Sequence, residues 1–341
     1  MLPSANVEAA KPQPWRGTRV LVTGVTGFVG SWLCEALLER DADVIALVLD
    51  PDTGSRFFRE SIHSRCHVVH GDLRRFDDCM RAINSYEAQI VFHLGAQTIV
   101  GTALRDPLEC FESNIRGTYN ILESARRLAS TVKTVVVASS DKAYGNSPIL
   151  PYTENMPLNG RHPYEVSKSC TDLISLTYAQ TYGLPVTIAR CGNIYGGGDL
   201  NWSRIVPGTI RSLLRGEAPI LRSDGGPVRD YLYVKDVIEG YLCLAECIER
   251  DGVAGCAFNF SAQSRNTVLE VVVAIARAVG VECAPRVLAT AEMEIRNQTL
   301  NATRARERLG WSASWSLDDG LRETAEWYRT YCSTRSAFSA C

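Results

Sequence analysis

Residues 20–33, VLVTGVTGFVGSWL, constrain this chain more than any other stretch. A β-rich run ends in glycine, two more glycines follow at three-residue intervals, and an apolar helical pattern begins. Gly24, Gly27 and Gly30 stand as GxxGxxG. Without side chains, the backbone turns tightly, approaches a pyrophosphate and lets the helix pack closely on the strand. The helix start adds unbonded N–H groups and the positive end of its dipole. Glycines also make ordinary turns, but between an N-terminal strand and a helix this triplet predicts a dinucleotide site.

The pattern then repeats. DVIALVL, CHVVHG, QIVFHLG, KTVVVASS and PVTIAR read as further strands, separated by helical stretches at 30–40, 76–86, 114–129 and 163–183. Strands without polar alternation are buried on both faces, so the sheet is expected to be parallel with helices on each side. The fold class is therefore α/β: a doubly wound parallel sheet, with a smaller mixed α/β lobe. Residues 17–192 read as the dinucleotide-binding domain that carries the catalytic residues. Residues 193–332 read as a substrate lobe interleaved with it, with helices at 205–216, 235–250 and 267–280. Residues 1–16 and 333–341 read as polar tails.

Composition removes several function classes. The formal net charge is −2, which argues against a nucleic-acid partner. A bilayer span needs about 18–20 apolar residues in a row, and no run reaches that. The first residues lack the apolar centre of a secretory signal. Twelve cysteines contain no CxxC pair, and most lie in apolar stretches, such as Cys34 and Cys191. They read as reduced thiols in a cytoplasmic protein, and no metal site is expected.

An acid about 20 residues beyond the glycines would hold an adenosine ribose. Asp50 has that spacing; Asp52 is close, and either could be a turn residue. An acid there favours NAD, while Arg56 keeps NADP in view. Asp72, in HGDLRR, could accept from an adenine amino group or cap the next helix. Further on, PYEVSKS sets Tyr164 and Lys168 four apart, on one helical face. A lysine beside a tyrosine favours phenolate, which could take a proton from a sugar hydroxyl. Ser140 is placed to bond the same hydroxyl, while Ser139 could simply finish its strand.

SSDKAYG, residues 139–145, puts Asp141 beside Lys142 where a buried strand ends. The pair reads either as an inert ion pair or as an acid and a base aimed at one substrate. Desolvation would move both groups toward the states that elimination needs. Direct contact between them would oppose it. Adjacent strand residues face opposite ways, so the catalytic reading requires a bend.

TGxxGFxGS, GDLR, FHLGAQ, NIRGTYNILE, YxxxK and a late LGW together resemble the extended short-chain dehydrogenase/reductase family acting on nucleotide-sugars, over residues 18–330. The resemblance implies NAD contacts from Thr26, Phe28, Val29, Leu73, Leu94, Gly95, Ala96, Gln97 and Asn114, beside those named above. Gly95 stands where the family usually has alanine, which suggests a tighter approach to the cofactor. The Asp–Lys pair resembles the 4,6-dehydratase branch, where carbon 4 is oxidised, water leaves across carbons 5 and 6, and hydride returns to carbon 6. Lys142 would be the base and Asp141 the acid. CGNIYGGGDLNWSRIVP and NQTLNATRARERLGW resemble CDP-glucose 4,6-dehydratases, while GPVRDYLYVKD resembles the dTDP- or GDP-sugar branch. Inverting UDP-N-acetylglucosamine dehydratases also use an Asp–Lys pair. Gln97, Ser140, Asn193, Arg204, Arg229 and Arg296 are the implied substrate contacts, and a homodimer is implied. A 4-epimerase with the pair as bystanders, and a non-catalytic dinucleotide-binding regulator, are the alternatives.

Overall fold

A computed structural model describes residues 15–290 and 295–336. β1 (Arg19–Thr23), α1 (Phe28–Leu38), β2 (Asp43–Val48), β3 (His67–His70), α2 (Phe76–Asn84), β4 (Ile90–His93), α3 (Gly117–Arg127), β5 (Thr134–Ala138), α4 (Pro163–Tyr182) and β6 (Val186–Cys191) alternate as the pattern requires. A further strand, β7 (Ala257–Phe260), completes a parallel sheet of order β7-β6-β5-β4-β1-β2-β3.

Successive strand residues leave the sheet on opposite faces, and both faces are covered. Val20, Val22, Val44, Ala46 and Val136 face one core, shared with Leu33 and Leu37 of α1. Leu21, Ile45, Val91, Val135 and Val137 face a second, with Ala82 and Ile83 of α2 and Ile121 and Leu122 of α3. This is why the strands are largely apolar, with most of their polar residues at the ends.

The rest of the chain holds α5 (Ile205–Leu214), α6 (Val234–Glu246), α7 (Val268–Val279) and α8 (Leu317–Ser336), with short strand pairs between them. α6 packs against α1, β5 and β6. β7 and α6 both come from beyond residue 192, so the chain re-enters the sheet layer after the expected lobe boundary.

Three expectations need correction. Trp15, placed in the N-terminal tail, is buried: its indole donates to Glu246 Oε1 at 2.6 Å and its ring lies 6.2 Å from Phe92. Residues 333–336, placed in the second tail, continue α8; residues 1–14 and 337–341 of the two tails lie outside the described residues. The helical run expected from Asn114 starts earlier, at Pro107–Phe111, and passes through a wider π turn over Glu112–Arg116 into α3.

Candidate active site

The order of strands reverses between β1 and β4, and this switch point is where open α/β sheets bind ligands. The loops leaving the two strands touch there. Gly24 has φ +74°, and a Cβ on it would meet the Gly95 backbone nitrogen at 2.8 Å. A Cβ on Gly30 would meet Gly24 O at 2.1 Å, so α1 can start this close only through glycine. Gly27 caps α1 without a side-chain bond, leaving the first N–H groups of Phe28, Val29 and Gly30 for an anion; Thr26 lies in the same turn. The room left by Gly95 is taken up by Leu73, whose Cδ1 would lie 2.5 Å from an alanine Cβ.

Behind the glycines, Thr23 Oγ1 accepts from the backbone of Leu94 at 3.1 Å and Gly95 at 2.9 Å. His93 Nδ1 lies 3.0 Å from that hydroxyl, and Nε2 lies 3.1 Å from Thr118 Oγ1. Thr118 already donates to Asn114 O, so His93 carries its proton on Nε2 and accepts at Nδ1. Burial, helped by the Lys168 charge, pushes His93 down to about 3 and keeps it neutral. Asn114 holds both backbone polar groups of Gln97 and donates to Ser167 Oγ at 2.9 Å. Its amide therefore fastens the loop carrying Ala96 and Gln97 to α4.

Asp50 is exposed at the end of β2. Asp52 accepts from Gly54 N at 2.9 Å and is the turn residue. Arg56 does not face outward for a 2′-phosphate. It is buried, bonded to Glu35 and to Glu60 at 2.8 Å, with its guanidinium 4.1 Å above the Trp32 ring. Asp72 does not cap α2, whose N-cap is Arg75; it pairs with Arg74 at 2.6 Å. Burial works against its ionisation, but Arg74 outweighs it and lowers the carboxyl.

At the end of β5 the chain bends. Ser140 is extended, and Asp141–Tyr144 form a 3₁₀ turn. Adjacent residues then diverge by about 120° rather than a strand's 180°. Ser140 Oγ donates to Asp141 Oδ1 at 3.0 Å and caps Lys142 N at 3.2 Å. Asp141 is buried, and its Oδ2 stands 3.8 Å from Lys142 Nζ, beyond hydrogen-bond length. The lysine amine instead donates to Gln298 Oε1. Ser139 donates to Asp172, which also holds Arg190 through bonds of 3.0 and 2.7 Å. Arg190 continues to the Tyr144 hydroxyl at 2.8 Å.

α4 begins with Pro163 in its first turn and Glu165 reaching back to the backbone of Arg161 and His162. It brings Tyr164 beside Ser140. Burial pushes the Tyr164 phenol up to about 12, against the Ser140 hydrogen bond and the Arg204 charge. The net lowering expected beside Lys168 is not seen, since burial outweighs it; that amine donates to Ala138 O at 2.7 Å. Burial brings Lys168 down to about 8, opposed by Asp172.

From the other side, Asn193 opens a short strand paired with Tyr231–Tyr233. Arg229 is buried and bonds the carbonyls of Val228 at 3.0 Å and Arg296 at 3.1 Å. Arg204 reaches Asp199 at 2.9 Å and Thr98 at 3.4 Å. The Arg296 side chain is an exposed partner of Asp224 at 3.2 Å, and its carbonyl accepts from Arg229.

A glycine cradle at a switch point, joined to a Ser–Tyr–Lys cluster, is a redox-type site. The sequence profile of the NAD dependent epimerase/dehydratase family matches residues 20–259. The chain belongs to this family. It is 30% identical over 334 residues to a CDP-glucose 4,6-dehydratase of Salmonella typhimurium, covering 93% of this chain and 92% of that one. A UDP-glucose 4-epimerase of Thermotoga maritima, solved with UDP-glucose, superposes with a TM-score of 0.84 at 28% identity, over 92% and 100% of the two chains. A dTDP-glucose 4,6-dehydratase of Bacillus anthracis in complex with NAD gives 0.80 at 26%, over 92% and 97%. Dehydratases and epimerases thus lie at similar distances from this epimerase/dehydratase family member.

Two residues that stand beside this cluster in this family member were missed in the sequence. Gln298 lies in NQTLNATRARERLGW, which carries a family resemblance but gave this residue no role. Asp230 follows Arg229 directly; it is buried, accepts from Ser261, and burial pushes it up to about 6, with Asp141 adding to the rise. Neither has a local signal, since Gln298 meets Lys142 across 156 residues.

Proposed function

We propose that this chain is an NAD-dependent NDP-hexose 4,6-dehydratase acting on a glucose-type nucleotide-sugar, with CDP the leading base. The observation that carries the reading is the 3₁₀ turn after β5. It sets a buried acid and a lysine amine on one bend beside Tyr164, 3.8 Å apart rather than hydrogen-bonded to each other. An inert ion pair would close that gap.

The residues fit the cofactor. Gly24, Gly27, Gly30 and the start of α1 would take the pyrophosphate, Asp50 the ribose, and Asp72 the adenine side. Arg56 is buried and ion-paired with Glu35 and Glu60, which does not favour a 2′-phosphate there. When bound, NAD would supply a hydride acceptor at carbon 4 of the sugar and a hydride donor at carbon 6, with the proton held by Lys142 returning to carbon 5. Tyr164 and Ser140 would bind the 4-hydroxyl, and Tyr164 would take its proton once the positive charge that the cofactor brings beside Lys168 favours the phenolate over the buried phenol. With carbon 4 a ketone, Lys142 as neutral amine takes the carbon 5 proton. That C–H electron pair forms the C5–C6 double bond, and the carbon 6 hydroxyl leaves as water with a proton from Asp141. Arg229, Asn193 and Arg204 are the groups offered to the diphosphate.

Incubation with CDP-, dTDP-, GDP- and UDP-glucose tests this, with the sugar product read by mass. Loss of one water from at least one of them is expected. Lys142→Met should still oxidise carbon 4 while losing about 10²-fold or more in water release. The similarity to a 4-epimerase favours a second reading, in which the products keep their mass and the same variant turns over normally.

A further inference from the structure

Lys142 belongs to the 3₁₀ turn after β5, but a hydrogen-bond partner of its amine comes from the far end of the chain. Gln298 is 1% exposed and accepts from the lysine amine through Oε1. An ammonium or amine presents N–H groups, so the amide must turn its carbonyl toward it. The segment around Gln298 is pinned: its N–H donates to Val228 O at 3.0 Å, Val228 bridges Asn297, and Leu300 bridges Tyr152. The other amide atom, Nε2, is buried without a hydrogen bond, with the Tyr152 hydroxyl beside it.

An amine 3.8 Å from a buried carboxylate would normally close onto it, since a charge-assisted bond is shorter and stronger than one to a neutral acceptor. Such closure would lock Lys142 as an ammonium and Asp141 as a carboxylate, opposite to the forms that elimination needs. We propose that Gln298 is the positioning residue of Lys142, its neutral carbonyl holding the amine off Asp141 so that the amine can serve as the base. The inference rests on the dehydratase reading above.

Among the described residues, the charged and titratable groups around the pair include Asp141 on its own turn, Tyr164 from α4, Cys191 of β6, Tyr152 from the loop before α4, and Arg229 and Asp230 from residues 228–230. They are common to wild type and variant, so a difference between the two reports on residue 298.

The test is competitive acetylation of the NAD-loaded enzyme without sugar, from pH 6 to 11, with the Lys142 peptide read by mass. Gln298→Glu supplies a charged acceptor and should move the Lys142 labelling midpoint up by about one pH unit or more. Gln298→Met, uncharged and of similar size, should also move it up, because the amine then falls onto Asp141. With CDP- or dTDP-glucose, either variant should still reduce NAD. Water release at pH 7 should fall about tenfold, with its pH profile displaced upward by the same amount as the label. A midpoint unmoved in a variant that binds NAD overturns the inference, and the methionine variant decides if the glutamate does not fold. Wild-type enzyme that releases no water from any NDP-glucose ends the dehydratase reading instead, and the labelling result still judges the contact.

Discussion

Two buried groups carry pH dependence of opposite sense. Asp230 is raised to about 6 from an ordinary value of 3.8, first by burial. A carboxyl raised in the folded state gives stability that is complete below pH 3.8 and is lost as pH rises through about 6. The loss is about 3 kcal/mol by linkage. Asp230→Asn should therefore gain about that much relative to wild type between pH 4 and 7 in urea denaturation. A constant difference across that range would remove Asp230 from the account. Lys168, lowered to about 8 from 10.5, works the other way. Between pH 8 and 10.5 the unfolded chain binds the extra proton, so stability rises with pH there, again by about 3 kcal/mol. Lys168→Met should flatten that rise. The two residues were not equally legible: Lys168 stood in a spaced pattern with Tyr164, whereas the burial of Asp230 depends on Ser261 and Leu300, distant in sequence.

At the scale of elements, the bend that carries Asp141 and Lys142 is held from behind. Arg190 of β6, Asp172 of α4, Ser139 and Tyr144 form one buried network, closed by Tyr144 donating to Asn259 Oδ1 at 2.7 Å. Gly145 ends the turn at φ +65°, where a Cβ would meet Asn159 O at 2.1 Å. Arg190→Met should leave the Asp172 carboxylate buried and unpaired, costing about 3–5 kcal/mol. An unchanged denaturation midpoint would show that the turn stands without the network. The strands and helices that frame this bend were readable because each repeats an apolar period over several residues. The bend was only inferred as a requirement, because four residues have no period. β7 was missed for the same reason: AFNF is four residues long and follows a glycine-rich turn.

At the scale of the whole molecule, the two expected lobes share one core. Trp15, α6 and β7 pack with β1, β2, β5 and β6, and α8 brings Trp327 against Gly197 and Tyr328 onto Asp199 O. A fragment of residues 15–192 would leave β6 as a bare edge and its face uncovered. It should lose the near-ultraviolet circular dichroism and NAD binding of the full chain; a fragment that unfolds cooperatively and binds NAD would mean independent lobes. The order of apolar runs and the glycine spacing determined the doubly wound sheet and the place of the dinucleotide cradle, because burial on two faces and close backbone approach are local demands that residue type alone can meet. Tertiary structure alone decided that Lys142 bonds Gln298 rather than Asp141, that Arg56 turns inward, and that burial outweighs Lys168 at the Tyr164 phenol. Each of these depends on what distant segments place beside a charge, and charge energies follow distance in space, not position along the chain.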